Sequence, residues 1–130
     1  MGLAMTALTC LALNIYHEAR GEPVEGQIAV AQVTLNRVAS PAYPDTVCDV
    51  VWQRSQFSWT GDGRSDRPRE RGAWVQAIVV AARVKAGMTP DVVGGALHYH
   101  ADYVSPRWAS AYVEVARVGR HVFYGQQKEG

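Results

Sequence analysis

Residues 15–38 read IYHEARGEPVEGQIAVAQVTLNRV, two helical stretches with a break between them. Upstream of the break, Leu8, Leu11, Ala12, Ile15 and Ala19 recur at helical spacing, and Thr6 stands where an N-cap belongs. Gly21 and Pro23 end that helix. Pro23 also suits the first turn of the next helix, which runs to about Val38. Val24, Ile28, Val30, Ala31, Val33 and Leu35 make this second helix apolar on several faces, the pattern of a helix at the centre of a fold.

Outward from this pair, Ser40 to Pro44 is a turn cluster, and Asp45 is placed to cap a short helix through Trp52. Ser55 to Gly72 has no periodicity and is dense in Gly, Asp and Arg; a loop of that length in a compact domain usually has a function. A third long helix is expected over about Arg69 to Ala86, with Trp74, Ile78, Ala81, Ala82 and Lys85 on related turns and Gly87 ending it. A short strand is expected at Ala96 to His100. Tyr112 to Tyr124 reads as two strands joined near Gly119-Arg120. The sum is a single α+β domain over residues 1–130, mainly helical, with a short antiparallel sheet of about three strands.

The net charge of +1 lacks the basic footprint of a nucleic-acid binder, so no nucleic-acid partner is expected. Arginine nonetheless supplies 11 of the 13 positive charges, and its planar fork suits carboxylates. Leu3 to Leu13 is apolar, but Thr6 and Thr9 interrupt it, which fits a buried helix better than a signal peptide. No stretch is long enough for a membrane span, and stable membrane insertion is not expected. The expected protein is a monomer, cytoplasmic until released. Cys10 and Cys48 could close a long loop as a disulfide or remain buried thiols; their spacing alone leaves both open.

Three groups of residues could carry chemistry. Glu18 stands at the end of an apolar helix, where the partial negative charge of the C-terminus and partial burial both disfavour a carboxylate. A protonated carboxyl near neutral pH is what a general acid requires. Glu22 precedes a proline and is expected to cap the second helix. The second group is Gln56, Phe57, Ser58 and Trp59, rings among amides and hydroxyls, which suit a sugar polymer; core packing is the competing role for either ring. The third is His98-Tyr99-His100, with Asp102 and Trp108 beyond it. On a strand His98 and His100 share a face and could ligate a metal with His17, Glu18 or Asp102, but no HExxH motif accompanies them, and neither metal nor cofactor is expected.

The stretches IYHEARGEPVEGQIAVAQVTLNRV, YPDTVCDVV, QFSW, ALHYHADYVSPRWA and VGRHVFYG, in this order, resemble the SleB/CwlJ family of cell wall hydrolases. They cover most of Cys10 to Gly125, and the first is the most specific. The resemblance implies a small lysozyme-like fold akin to lytic transglycosylases and goose-type lysozymes, with one essential glutamate, which falls on Glu18. It implies cleavage of peptidoglycan glycan strands between N-acetylmuramic acid and N-acetylglucosamine. Glu18 would protonate the departing oxygen and then, as carboxylate, take the proton of the muramoyl C6 hydroxyl, leaving a 1,6-anhydro product. A single carboxyl used twice removes the need for the pair that ordinary glycosidases hold roughly 5–9 Å apart. Asp62, Asp66 and Asp102 stay available as a second carboxylate for simple hydrolysis. The resemblance also places Gln56, Phe57, Ser58, Trp59, His98, Tyr99, His100 and Trp108 along the glycan groove, with Tyr99 or His98 orienting the acid or the acetamido group.

Two departures stand out. Many relatives in the family it resembles carry extra cysteines around QFSW where this chain has Ser55 and Thr60, and the separate wall-binding module usual in spore-specific members is not seen. A stand-alone, phage-type endolysin is the corresponding expectation. Two alternatives remain: a metal-dependent amidase or peptidase of the wall using His98, His100 and Glu18, and a non-catalytic wall-binding module.

Overall fold

The computed structural model describes residues 5–53 and 67–129. Helix α1 spans Ala7–Ala19, α2 Val24–Val38, α3 Val47–Val51 and α4 Arg71–Lys85. Strands β1 (His98–Ala101), β2 (Tyr112–Val118) and β3 (His121–Gln127) form one antiparallel sheet in the order β1-β3-β2. A 3₁₀ turn, Arg107–Ala111, precedes β2; the sequence had shown no signal for it. Among the described residues no helix is long and apolar enough to cross a membrane.

Thr6 caps α1, its hydroxyl accepting from the Thr9 N–H at 3.1 Å. Buried Leu11, Leu13 and Ile15 pack α1 against α2, α3 and α4, with Ala77, Val80, Ala81 and Val84 supplied by α4. Cys10 of α1 and Cys48 of α3 are joined as a disulfide, their Cα atoms 5.2 Å apart, so the question the spacing left open is answered by packing. The residue capping α3 is Thr46, whose hydroxyl accepts from the Asp49 N–H at 3.1 Å, and not Asp45 as expected. Helix α4 starts at Arg71, two residues later than the periodicity suggested: Glu70 is extended at the N-cap, and the N–H groups of Arg69 and Glu70 donate to the Tyr16 hydroxyl at 3.0 and 2.9 Å.

Helix α2 is central. Its Ala31 belongs to the helical core, while Ala29, Val30 and Val33 meet Val93, Ala96, Val118 and Phe123 in a second core beneath the sheet. Its polar residues hold the segment leading to β1. Gln32 donates to the Pro90 carbonyl at 2.8 Å and accepts from the Val92 N–H at 3.0 Å. Asn36 donates to the carbonyls of Gly94 and Ala96, both at 2.9 Å, and Arg37 Nε to that of Leu97 at 2.8 Å. Side chains thus take the place of a strand partner for the Gly94 and Ala96 carbonyls, and β1 begins at His98 rather than at Ala96.

Strands β2 and β3 form a hairpin closed by Gly119 and Arg120, with Val118 opposite His121. Gly119 has φ +58, the left-handed conformation that a tight two-residue turn demands.

Candidate active site

Glu18 lies in the last turn of α1. The helix stops at Arg20 (φ −59, ψ 131), and Gly21 turns the chain at φ +86. Arg20 does not pair with Glu18. Its guanidinium reaches back one turn, donating to the Tyr16 hydroxyl at 2.7 Å and lying 3.6 Å from the Glu70 carboxylate. Tyr16 therefore gathers three donors, from Arg20, Arg69 and Glu70. Burial would raise its hydroxyl, but these hydrogen bonds outweigh it and hold the group below the usual tyrosine range.

The Tyr99 hydroxyl, from β1, donates to Glu18 Oε1 at 2.7 Å. Burial pushes the Glu18 carboxyl above the usual glutamate range, against the opposing pulls of this hydrogen bond and of the positive charge on Arg37. Burial, and then the Glu18 charge, raise the Tyr99 hydroxyl well above its ordinary value, so it remains a donor. The Tyr99 ring is held between Phe123 (centroids 5.4 Å apart) and the edge of His121 (5.3 Å). Glu18 opens onto a pocket of about 180 Å³ whose other walls are Arg20, Glu22, Ala101, Tyr103, Arg120 and His121.

Glu22 does not cap α2, contrary to expectation; Pro23 holds the N-cap position without a side-chain cap. The Glu22 carboxylate instead accepts from the Arg120 N–H at 2.6 Å and sits 3.4 Å from His121 Nδ1. The proline that follows turns Glu22 off the helix axis, and the hairpin turn offers a free N–H in reach. Burial keeps the His121 imidazole below the usual histidine range, against the opposing pull of the Glu22 and Asp102 carboxylates.

A half-buried carboxyl at a helix end, hydrogen-bonded and facing a cleft, is the arrangement of a general acid. The cell wall hydrolase family model matches residues 21–124. The chain belongs to this family. It is 34% identical over 128 residues to a spore cortex-lytic enzyme of Oceanobacillus iheyensis, covering 94% of this chain and 42% of that one. It is 34% identical to the Bacillus subtilis spore cortex-lytic enzyme, covering 94% and 38%. The chain thus spans less than half the length of these curated relatives. The catalytic domain of a germination-specific lytic transglycosylase, SleB of Bacillus anthracis, superimposes with a TM-score of 0.77 at 32% identity, covering 95% of this chain and 97% of that one. The SleB catalytic domain of Bacillus cereus gives the same TM-score and identity, covering 95% and 92%. The small lysozyme-like α+β fold is thereby shown.

In this cell wall hydrolase domain Glu18 and Tyr99 meet, while the alternation of β1 sends His98 and His100 to the opposite face of the strand. There they form an aromatic cluster with Trp108, Tyr112 and Tyr124: His98 lies 4.6 Å from Tyr112, His100 stacks on Tyr124 at 5.3 Å, and His100 Nε2 is 2.8 Å from the Tyr124 hydroxyl. Gln56, Phe57, Ser58 and Trp59, with Asp62 and Asp66, lie outside the described residues. Asp102 is exposed, and its N–H donates to the Arg120 carbonyl at 2.8 Å. Among the described residues no group of three His, Cys, Asp or Glu side chains is placed to hold a metal.

Sequence reasoning passed over Arg37, Arg120 and His121. Arg37 could have been noticed as a cation inside an apolar helix, five residues after Gln32 and next to Asn36. Arg120 and His121 carried no signal, because only the docking of the hairpin on Glu22 brings them to the pocket.

Proposed function

We propose that this domain cleaves peptidoglycan glycan strands between N-acetylmuramic acid and N-acetylglucosamine by lytic transglycosylation. The observation that carries the reading is the Glu18 carboxyl, lifted by burial, fixed by Tyr99 and facing a pocket. The protonated carboxyl gives its proton to the glycosidic oxygen as the bond to C1 of the muramoyl sugar breaks. The resulting carboxylate then accepts the proton of the muramoyl C6 hydroxyl, whose oxygen closes onto C1. Tyr99 keeps one carboxyl oxygen hydrogen-bonded through both steps and stabilises the charged form between them. The similarity to spore cortex-lytic enzymes and to a germination-specific lytic transglycosylase supports the same chemistry. In this proposal Gln56, Phe57, Ser58 and Trp59 contact the glycan, whereas His98, His100 and Trp108 pack together on the face of β1 turned away from Glu18.

The test is digestion of purified sacculi by the wild type and by Glu18→Gln, with mass spectrometry of the soluble products. The proposal expects 1,6-anhydromuramoyl ends from the wild type and none from the folded variant. Hydrated reducing ends would indicate simple hydrolysis. Free peptide termini, lost on adding a chelator, would indicate a metal-dependent amidase. Sedimentation with sacculi without any release of products would indicate a binding module.

A further inference from the structure

The pocket beside Glu18 is small. At about 180 Å³ it falls below the roughly 300–1,000 Å³ of pockets that enclose whole small molecules. It suits one substituent projecting from a ring that lies across its mouth. Its lining is polar and carries two arginines, Arg20 and Arg120, with the phenol of Tyr103 at the rim, 81% exposed.

The two carboxylates in the same wall take their hydrogen bonds from other groups, not from the Arg120 guanidinium. Glu22 is committed to the Arg120 backbone N–H and to the neighbourhood of His121, and Glu18 to the Tyr99 hydroxyl. Arg20 shares its charge with Glu70 at 3.6 Å and its hydrogen bonding with Tyr16. Among the described residues the Arg120 guanidinium makes no ion pair. An exposed arginine at the mouth of a small polar pocket is a fork for a planar anion.

A muramoyl residue bears such an anion. Its C3 lactyl arm ends in a carboxylate, or continues into a stem peptide with carboxylates of its own. The cleaved bond is at C1 of the same ring, so a ring with C1 at Glu18 can reach the adjoining pocket with its substituent. We propose that the pocket of Arg120, Arg20 and Tyr103 is a subsite for a carboxylate carried on the lactyl arm of the muramoyl unit. Arg120 provides the principal contact, and the domain selects anionic over neutral strands. This rests on the glycan-cleaving reading and names the part of the substrate that its site recognises.

The experiment measures KM and kcat on three soluble strand preparations of matched length: native strands with stem peptides, strands stripped by an amidase to leave the lactyl carboxylate, and stripped strands whose carboxyls are converted to neutral methylamides. The expected result is a KM about tenfold higher on the neutral strands than on at least one anionic preparation. A low KM on stripped strands assigns the lactyl carboxylate itself; a low KM on native strands alone assigns the stem peptide. Arg120→Gln is expected to raise the KM for the favoured strands to the neutral-strand value, and Arg120→Lys to restore part of the preference. The Arg120 N–H that docks the hairpin is untouched by either change. Equal KM on all three preparations, with cleavage intact, overturns the subsite and leaves the proposed reaction standing. So does an Arg120→Gln enzyme that keeps the full preference. Failure of the wild type to cleave any strand sinks the reaction, and the subsite falls with it.

Discussion

The Glu22 carboxylate receives the backbone N–H of Arg120 at 2.6 Å across 98 residues of sequence, tying the break between the first two helices to the turn of the β-hairpin. Gly119 makes that approach possible. A Cβ on it would stand 2.6 Å from Glu22 Oε1, and its φ is +58. Gly119→Ala should therefore cost about 1–2 kcal/mol for the left-handed backbone, plus the loss from pushing the carboxylate off Arg120. In a Glu22→Ala background only the backbone part should remain. Chemical denaturation of the four proteins of this double-mutant cycle checks it. Equal costs of Gly119→Ala in both backgrounds would show that the two residues are not coupled.

Tyr99→Phe removes the hydrogen bond that favours the ionised form of Glu18. The carboxyl should titrate higher still, so the alkaline limb of the pH–activity profile should move to higher pH. The carboxylate needed in the second half of the reaction loses a charge-assisted bond worth about 1.5–3 kcal/mol, and kcat should fall by roughly ten- to a hundredfold. A fall in rate with an unmoved profile would assign Tyr99 to packing alone.

Glu18 should also set a stability penalty. Its folded-state pKa is raised, so the folded protein binds the proton more tightly than the unfolded chain. The favourable contribution is complete below the unfolded glutamate value of about 4.3 and is lost as the pH rises through the higher folded value. Glu18→Gln, whose amide oxygen can still accept from Tyr99, should melt above the wild type at neutral pH, with the difference shrinking to nothing in acid. Thermal unfolding across this range measures it, and a variant less stable than the wild type at neutral pH would contradict the desolvation of Glu18.

The Cys10–Cys48 disulfide closes a sequence separation of 38 residues between α1 and α3. Loop-closure entropy assigns it about 4 kcal/mol, and Cys48→Ser should lower the unfolding free energy by about 2–4 kcal/mol. Glu18 and its pocket lie at the opposite end of α1, so activity of the folded variant at low temperature should stay close to wild type. Loss of activity without loss of stability would show that α3 supports the site directly.

Residues 6–38 determined much of this domain by themselves. A capped apolar helix, a Gly-Pro break and a helix apolar on several faces are local patterns, and burial of those faces leaves few alternatives. Glu18 was legible for the same reason, since its position at a helix end follows from the helix. Tyr99 was legible only as one of three residues in His-Tyr-His, because sequence shows that neighbours on a strand alternate but not which face meets the acid. That choice belongs to tertiary structure: Gln32, Asn36 and Arg37 fasten residues 90–97 to α2, and Glu22 fastens the hairpin to α1. Contacts formed between segments about 60 and 98 residues apart leave no periodicity in either segment. The pairing of Cys10 with Cys48, the true role of Glu22 and the arrival of Arg120 and His121 at the pocket were for that reason decided by packing.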